Sequence, residues 1–390
     1  METLEKVVFQ FRGALSGKYV SSFLYIHHKI PKMPQIPQIP LNFIQPLPTG
    51  PLDIVGDIHG EYDALCNLLG HLGYDQHGKH PKARTLVFVG DFCDRGPNSP
   101  AVLEKVQTLV ESGCAVAVLG NHEINLLSDN AKEGSGWFFE TRMQRDYEKY
   151  APFQQADSAA RTRIVTFLSK LPVGLERRDL RIVHAAWLDT AIKAAAALPL
   201  GHLRQHYDAL ERMAQQDAVR TGLAQRMAAE LEQWTHSLEN PHQSPPFLHA
   251  HAQFESSKQM KNPLKVLTSG VECKAHAPFY SSGKWRFSQR VAWWDDYDDA
   301  TAVVIGHYWR RLHPVDRSAI GKGDADLFRS IAPLAWHGKH RNVFCVDYSA
   351  GGRWTERQAN TQVGEKFKLA ALRWPERIVQ FDDGQQAATH

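Results

Sequence analysis

Nine side chains able to bind metal ions, move protons or grip an anion lie where apolar runs end. Asp57 and His59 fall in GDIHG (56–60), Asp91, Asp94 and Arg95 in GDFCDRG (90–96), and Asn121 and His122 in GNHE (120–123). His184 ends the run RIVHAAW and His307 ends AVVIGHYW. Asp57, Asp91, Asn121 and three of the histidines together offer oxygen and imidazole donors but no thiolate. Such donors suit Mn, Fe, Zn or Co better than copper(I), and are too rich in nitrogen for calcium. Six ligands exceed what one catalytic ion with an open position needs, and suffice for two ions sharing a carboxylate. Two divalent ions, two aspartates and a bridging hydroxide leave a net charge of about +1, and ions ~3.5–4 Å apart can activate water for in-line displacement at phosphorus.

The pattern around these residues predicts the elements that carry them. Leu52–Val55, Thr85–Val89 and Ala115–Leu119 read as buried strands, each followed by a motif loop and then by helical spacing. Strand, loop and helix repeated three times predict crossover units, an α/β class and a mainly parallel core. The carboxyl ends of such strands define a ligand crevice, so the motifs can converge there. Arg181–Val183 and Ala302–Ile305 read as further strands. Asn342–Asp347, Lys366–Trp374 and Arg377–Phe381 read as closing strands of antiparallel sense. Residues 190–236, rich in Ala, Leu, Gln, Arg and Glu, predict inserted helices acting as a cap, and 236–262 reads as a proline-punctuated loop. The expected organisation is a proline-rich extension over 1–50 and one catalytic domain over 51–390, with 190–262 as helical insertion and loop.

In their order, GDIHG, GDFCDRG, GNHE, a His-Ala strand end and a Gly-His strand end resemble the phosphoprotein phosphatase branch of the calcineurin-like metallophosphoesterases, in its bacterial form. The spacings of 34 residues from Asp57 to Asp91 and 30 from Asp91 to Asn121 fit one crossover unit each. The resemblance implies a four-layer α/β/β/α fold, a β-sandwich flanked by helices. It implies that Asp57 and His59 hold one metal, that Asp91 bridges two, and that Asn121, His184 and His307 hold the second, with Mn²⁺ the expected ion and Fe or Zn the alternatives. It makes His122 the general acid, oriented by Asp94, and Arg95 the phosphate grip. Leu119 stands where eukaryotic-type members carry arginine, leaving Arg310 and Arg311 as candidate replacements. Asp94 and Glu123 depart from symmetrical dinucleoside tetraphosphatases, which carry alanine and aspartate there.

The function expected from these residues is hydrolysis of phosphomonoesters, foremost protein phosphoserine and phosphothreonine, by a metal-bridging hydroxide. The alternative is hydrolysis of a dinucleoside polyphosphate, with Trp187, Trp293 or Trp309 as a base-stacking surface. A catalytically dead scaffold would be expected to have lost a ligand, and none is lost. The substrate is thus a phosphorylated protein or a small phosphoester.

Of 390 residues, 43% are apolar and 22% charged, which excludes a disordered or fibrous chain. A net charge of +3 gives no reason to expect nucleic acid or membrane as partner. Five dispersed cysteines fit a reducing compartment better than a disulfide framework. No apolar run approaches the ~18–20 residues of a membrane span, and the start METLEKVVFQFRG lacks signal-peptide character, so a soluble cytoplasmic protein is expected. Seven prolines lie in 31–51, four at every third residue, which favours polyproline II. That segment reads as a linker or strap, or as a docking site for a proline-recognising partner. His249 and His251 read as part of a surface loop, the acidic run Asp295–Asp299 as a solvated loop that could otherwise take a basic segment or a cation, and Cys93 as a space-filler.

Overall fold

The computed structural model describes residues 41–281, 283–318 and 320–390. Within them two sheets stack. The strands in chain order are β1 (Ile44–Pro46), β2 (Leu52–Val55), β3 (Thr85–Phe88), β4 (Ala115–Ala117), β5 (Gly174–Arg177), β6 (Leu180–Val183), β7 (Glu272–Ser281), β8 (Lys284–Arg290), β9 (Ala302–Ile305), β10 (Val343–Cys345), β11 (Ala370–Trp374), β12 (Ile378–Phe381) and β13 (Gln386–Ala388). One sheet runs β13-β12-β11-β2-β3-β4 and the other β1-β5-β6-β9-β10, while β7 and β8 form a separate hairpin. Between the first strands come helices α1 (Tyr62–Leu72), α2 (Ser99–Glu111) and α3 (Asn121–Leu127).

Period-two alternation sorts the strand residues into two cores. Leu52, Ile54, Val87, Val304 and Phe344 share one cluster, drawn from both sheets. Val55, Leu86, Phe88, Val303 and Ile305 face the other way, into the cluster that holds Leu65, Leu68 and Leu69 of α1 and Val102 and Val106 of α2. Both faces of each central strand are therefore covered, which is why these strands read as unbroken apolar runs. The one acid in β2, Asp53, is fully buried and accepts from Arg84 Nε at 2.9 Å, Arg373 Nε at 3.1 Å and Tyr74 Oη at 2.9 Å. The sandwich with flanking helices is the fold class expected.

Two expectations need correction, and a third falls outside the described residues. The domain begins before residue 51: Phe43 is fully buried and β1 pairs in parallel with β5, Ile44 opposite Gly174, because the edge of the second sheet needs a partner strand. The triplet prolines Pro31, Pro34, Pro37 and Pro40, and with them the docking segment, lie outside the described residues. β10 runs parallel to β9, not antiparallel, while β11 and β12 are antiparallel as expected.

Helices α4 (Glu140–Tyr150) and α5 (Ser158–Leu168) precede the insertion, which carries α6 (Asp189–Ala196), α7 (Leu203–Arg220), α8 (Leu223–Glu232) and α9 (His249–Met260) and is followed by α10 (Pro263–Ser269). The stretch expected as a loop is thus helical from His249 onward. The first backbone N–H groups of α9, Ala250 and His251, donate to the Glu230 carboxylate of α8 at 2.8–3.0 Å, a cap supplied from 20 residues upstream. Among the described residues no helix is long and apolar enough to cross a membrane.

Candidate active site

The loops leaving β2, β3 and β4 carry the first three motifs, and those leaving β6 and β9 carry His184 and His307. Reaching one centre from five loops forces unusual backbone. His59 (φ 48°), Asp91 (51°), Asp94 (72°), Arg95 (68°) and His307 (70°) all occupy the left-handed region, at a cost on the order of 1–3 kcal/mol each. Glu123, fully buried, holds part of this shape: its carboxylate accepts from the backbone N–H of Asp91 at 2.8 Å, Phe92 at 2.9 Å and Gly120 at 2.9 Å. His307 N–H donates to Asp57 Oδ2 at 3.0 Å, tying a loop of one sheet to a loop of the other. Two glycines are needed for close approach. A Cβ on Gly120 would lie 2.2 Å from Asp91 Oδ1, and one on Gly306 would lie 2.1 Å from Asp57 Oδ1.

Asp91 stands at the centre. Its Oδ2 lies 3.3 Å from His184 Nε2, 3.7 Å from His59 Nε2 and 3.8 Å from His122 Nε2. His184 Nδ1 donates to Val89 carbonyl at 2.8 Å and His59 Nδ1 to Cys93 carbonyl at 3.0 Å, so each ring turns Nε2 toward Asp91. Asp57 Oδ1, Asn121 Oδ1, His184 Nε2 and His307 Nε2 are buried and, among the described residues, accept or donate no hydrogen bond. Buried, unpartnered ligand atoms of this kind fit cation ligation. Two triplets sharing Asp91, namely His59-Asp91-His122 and Asp91-His184-His307, each bring ligand atoms within 4.8 Å of one another.

The electrostatics follow from crowding charge in a dry place. Burial, then the neighbouring carboxylates Asp347 and Asp91, push the Asp57 carboxyl well up. Burial would do the same to Asp91, but His184, His122 and His59 more than offset it and hold that carboxylate well below its ordinary range. Burial, aided by Arg95, keeps His59 neutral, and burial aided by Arg290 does so for His307; neutral imidazole is the form that ligates. Asp347 was not singled out in the sequence. It caps the backbone N–H of Trp309 at 2.7 Å and Ser349 at 2.7 Å, beside Asp57.

His122 is built differently. Its Nδ1 meets Asp94 Oδ2 at 2.5 Å, and the other Asp94 oxygen accepts from the buried Trp137 indole at 2.6 Å. The imidazole is thereby held from behind, with Nε2 toward the cleft. Arg95 donates to His59 Nε2 at 3.0 Å and packs its guanidinium over Trp309, 5.2 Å from the ring centre.

Above these groups lies a cleft of about 210 Å³ lined by Asp91, Arg95, Asn121, His122, His307 and Trp309, and also by Lys132, Arg286, Arg290 and Lys322. Neither arginine expected to replace the contact at Leu119 reaches it. Arg310 is buried against Phe344 and donates to the carbonyls of Ala332 and Ala335, and Arg311 pairs with Asp326. Leu119 itself is fully buried in the core. The cations come instead from the hairpin β7–β8, the loop at 320–324 and, for Lys132, the loop between α3 and α4, regions with no recognisable motif. The alternation in KWRFSQR (284–290) was the available signal: it sets Arg286 and Arg290 on one face and fully buried Phe287 on the other.

Other expected features separate from the site. Trp187 and Trp293 line a different cavity, of about 460 Å³, with Asp296, Asp298 and Asp299. There Asp298 is engaged by Lys339 and His340, and Asp299 by Arg181. His251 faces Glu255 on α9 at 3.5 Å. Cys93 is fully buried, and burial followed by Asp94 and Glu123 pushes its thiol well up, away from reactivity.

Residues 50–192 match the family model for calcineurin-like phosphoesterases. The chain is 40% identical over 126 residues to an asymmetrical bis(5'-nucleosyl)-tetraphosphatase of Anoxybacillus flavithermus, covering 30% of this chain and 48% of the relative. It is 33% identical over 132 residues to a symmetrical bis(5'-nucleosyl)-tetraphosphatase of Edwardsiella ictaluri, covering 34% of this chain and 41% of the relative. The chain thus spans less than half the length of either relative. Among solved structures, the cold-active protein-tyrosine phosphatase of a Shewanella species aligns over 98% of this chain and 99% of that one, at 15% identity and a TM-score of 0.43.

Proposed function

We propose that this chain, whose residues 50–192 match the calcineurin-like phosphoesterase model, is a dinuclear-metal hydrolase whose substrate is a dinucleoside polyphosphate. Asp91 carries the reaction class: one buried carboxylate oxygen faced at 3.3–3.8 Å by His184, His59 and His122, with orphaned donors on Asp57, Asn121 and His307 around it. Asp57, His59 and Asp91 would hold one ion and Asp91, Asn121, His184 and His307 the other, Mn²⁺ suiting the mixed oxygen and imidazole set. Such ions, when bound, supply Lewis acidity and an activated water. The rest falls to the chain's own groups. Arg95 grips the phosphate, and His122 delivers a proton from Nε2 to the leaving oxygen while Asp94 stabilises the imidazolium.

The substrate reading reverses the order favoured by the motifs alone. The names of the bacterial relatives support it, and so does the neighbourhood of the cleft. A second cavity of about 220 Å³ shares Arg95, Trp309 and Lys322 with the catalytic cleft and is walled by Tyr150, Tyr280 and Trp354. A phosphate in one and a base in the other would be joined across that shared wall. Trp309 itself lies under Arg95 and Lys322, so its ring positions cations and does not stack a base.

Phosphoserine or phosphothreonine in protein is the second reading, favoured by the Asp94–His122 pair with its Trp137 support, because a well-held acid helps most with a poor alkoxide leaving group. The deciding experiment compares kcat/KM for diadenosine tetraphosphate and a phosphothreonine peptide on metal-stripped protein reloaded with Mn²⁺. Nucleotide ahead by a hundredfold, about 2.7 kcal/mol of transition-state stabilisation, is the expected outcome. Peptide ahead by that ratio would replace the nucleotide reading with the second.

A further inference from the structure

The hairpin β7–β8 belongs to none of the motif loops, yet it supplies much of the positive charge over the metal site. On β8 the two-residue period puts Arg286, Ser288 and Arg290 on one face, while Phe287 anchors the strand among Leu248 and Ala252. Four residues of strand separate the two arginine positions by about 13 Å along the backbone, a spacing that can serve successive phosphates of one chain. Lys322 lines the same cleft, its ammonium 4.2 Å from the Trp309 ring centre, and so does Lys132.

These cations are poorly answered from within the protein. Among the described residues Arg286, Lys132 and Lys322 make no ion pair, and Arg290 has only Asp324 at 3.8 Å. The acids nearby are already engaged: Glu133 with Lys149 at 2.6 Å, Asp324 with Arg317 at 2.9 Å, and Glu272 with Ser288 Oγ at 2.7 Å. Burial, followed by mutual repulsion, lowers the proton affinity of Lys132 and Lys322. Half-buried cations gathered on one cleft with few direct ion pairs repel one another, and an extended anion relieves that repulsion.

We infer that Arg286, Arg290 and Lys322 form a subsite for the phosphates beyond the reacting one, so that the inserted hairpin makes the enzyme selective for a polyphosphate chain over a single phosphate. This deepens the nucleotide reading of the same cleft and rests on it for its biological substrate, but its physical content is anion length. Arg95 and the metal ligands take the reacting phosphate, and the hairpin takes its neighbours.

The test measures binding, by calorimetry, of inorganic tripolyphosphate and of orthophosphate to the full metal-free chain. Tripolyphosphate should bind at least ~30-fold tighter. Arg286→Ala and Arg290→Ala should each weaken tripolyphosphate roughly tenfold, the order expected for one charge-assisted contact, and leave orthophosphate within about twofold. Arg290→Lys should keep most of the affinity, which separates lost charge from a hairpin that no longer packs. Equal weakening of both anions, or no weakening of tripolyphosphate, would overturn the subsite. Loss of chain-length selectivity in the variants of an enzyme that leaves diadenosine tetraphosphate uncut would uphold the subsite while removing the nucleotide reading.

Discussion

His122 Nε2 lies 3.8 Å from Asp91 Oδ2, yet on the proposed reading Asp91 shares ions and His122 moves a proton. What separates them is what each leans on. Asp91 is ringed by imidazoles, whereas His122 is backed by Asp94 and, behind it, by Trp137. His122→Asn should therefore cut turnover by about 10²–10⁴-fold on esters with poor leaving groups and far less on p-nitrophenyl phosphate; equal losses on the two would remove its acid role. All nine residues named from the sequence as ligands or catalytic groups do converge in the structure. Their types announce metal and proton chemistry, and their fixed place after strand ends makes them readable. Glu123, Trp137 and Asp347 were not read as parts of the site, because they act through backbone N–H groups or a second carboxylate, which leaves no trace in residue spacing.

Elements were legible in proportion to how local their determinants are. The crossover units declared themselves through apolar strands and helical spacing. Helix α9 did not, because its N-terminal cap is Glu230 on α8, and a proline-studded approach with no local cap reads as loop. Glu230→Ala should cost about 1 kcal/mol, seen as a lower urea midpoint with unchanged slope. The basic wall makes a second prediction. Burial pushes Lys322 down to about 7, with Arg290, Arg95 and Arg317 acting in the same direction and Asp324 against them. In the unfolded chain a lysine keeps its proton to about 10.4, so between those values the unfolded state binds more protons. This group's contribution to stability therefore increases with pH from about 7 upward. Unfolding midpoints measured across that range should show a gain in the wild type relative to Lys322→Met; parallel curves would show that Lys322 stays charged.

At the scale of the molecule, the candidate ligand set straddles the sandwich. Asp57, His59, Asp91 and Asn121 come from loops of the six-stranded sheet, and His184 and His307 from loops of the five-stranded one. An ion bound by both groups clamps the sheets together. Mn²⁺ at a hundred times its dissociation constant should stabilise the fold by about 2.7 kcal/mol, raising the melting temperature by several degrees. Chelator should reverse the rise, and Asp91→Asn should largely abolish it; a full shift in that variant would mean that the aspartate is not shared between ions.

The neighbour of β2 on one side is β3, some thirty residues on, and on the other it is β11, with Leu372 opposite Ile54. During synthesis the central strand therefore waits, half-paired, while more than three hundred residues follow it out of the ribosome. Long-range pairing of this kind is slow and exposes an unpaired edge to other chains. The strand that launches the first metal-binding loop is among the last to be enclosed. A nascent chain stopped before β11 would therefore present its GDIHG loop on a strand with one edge unpaired and open to misassembly.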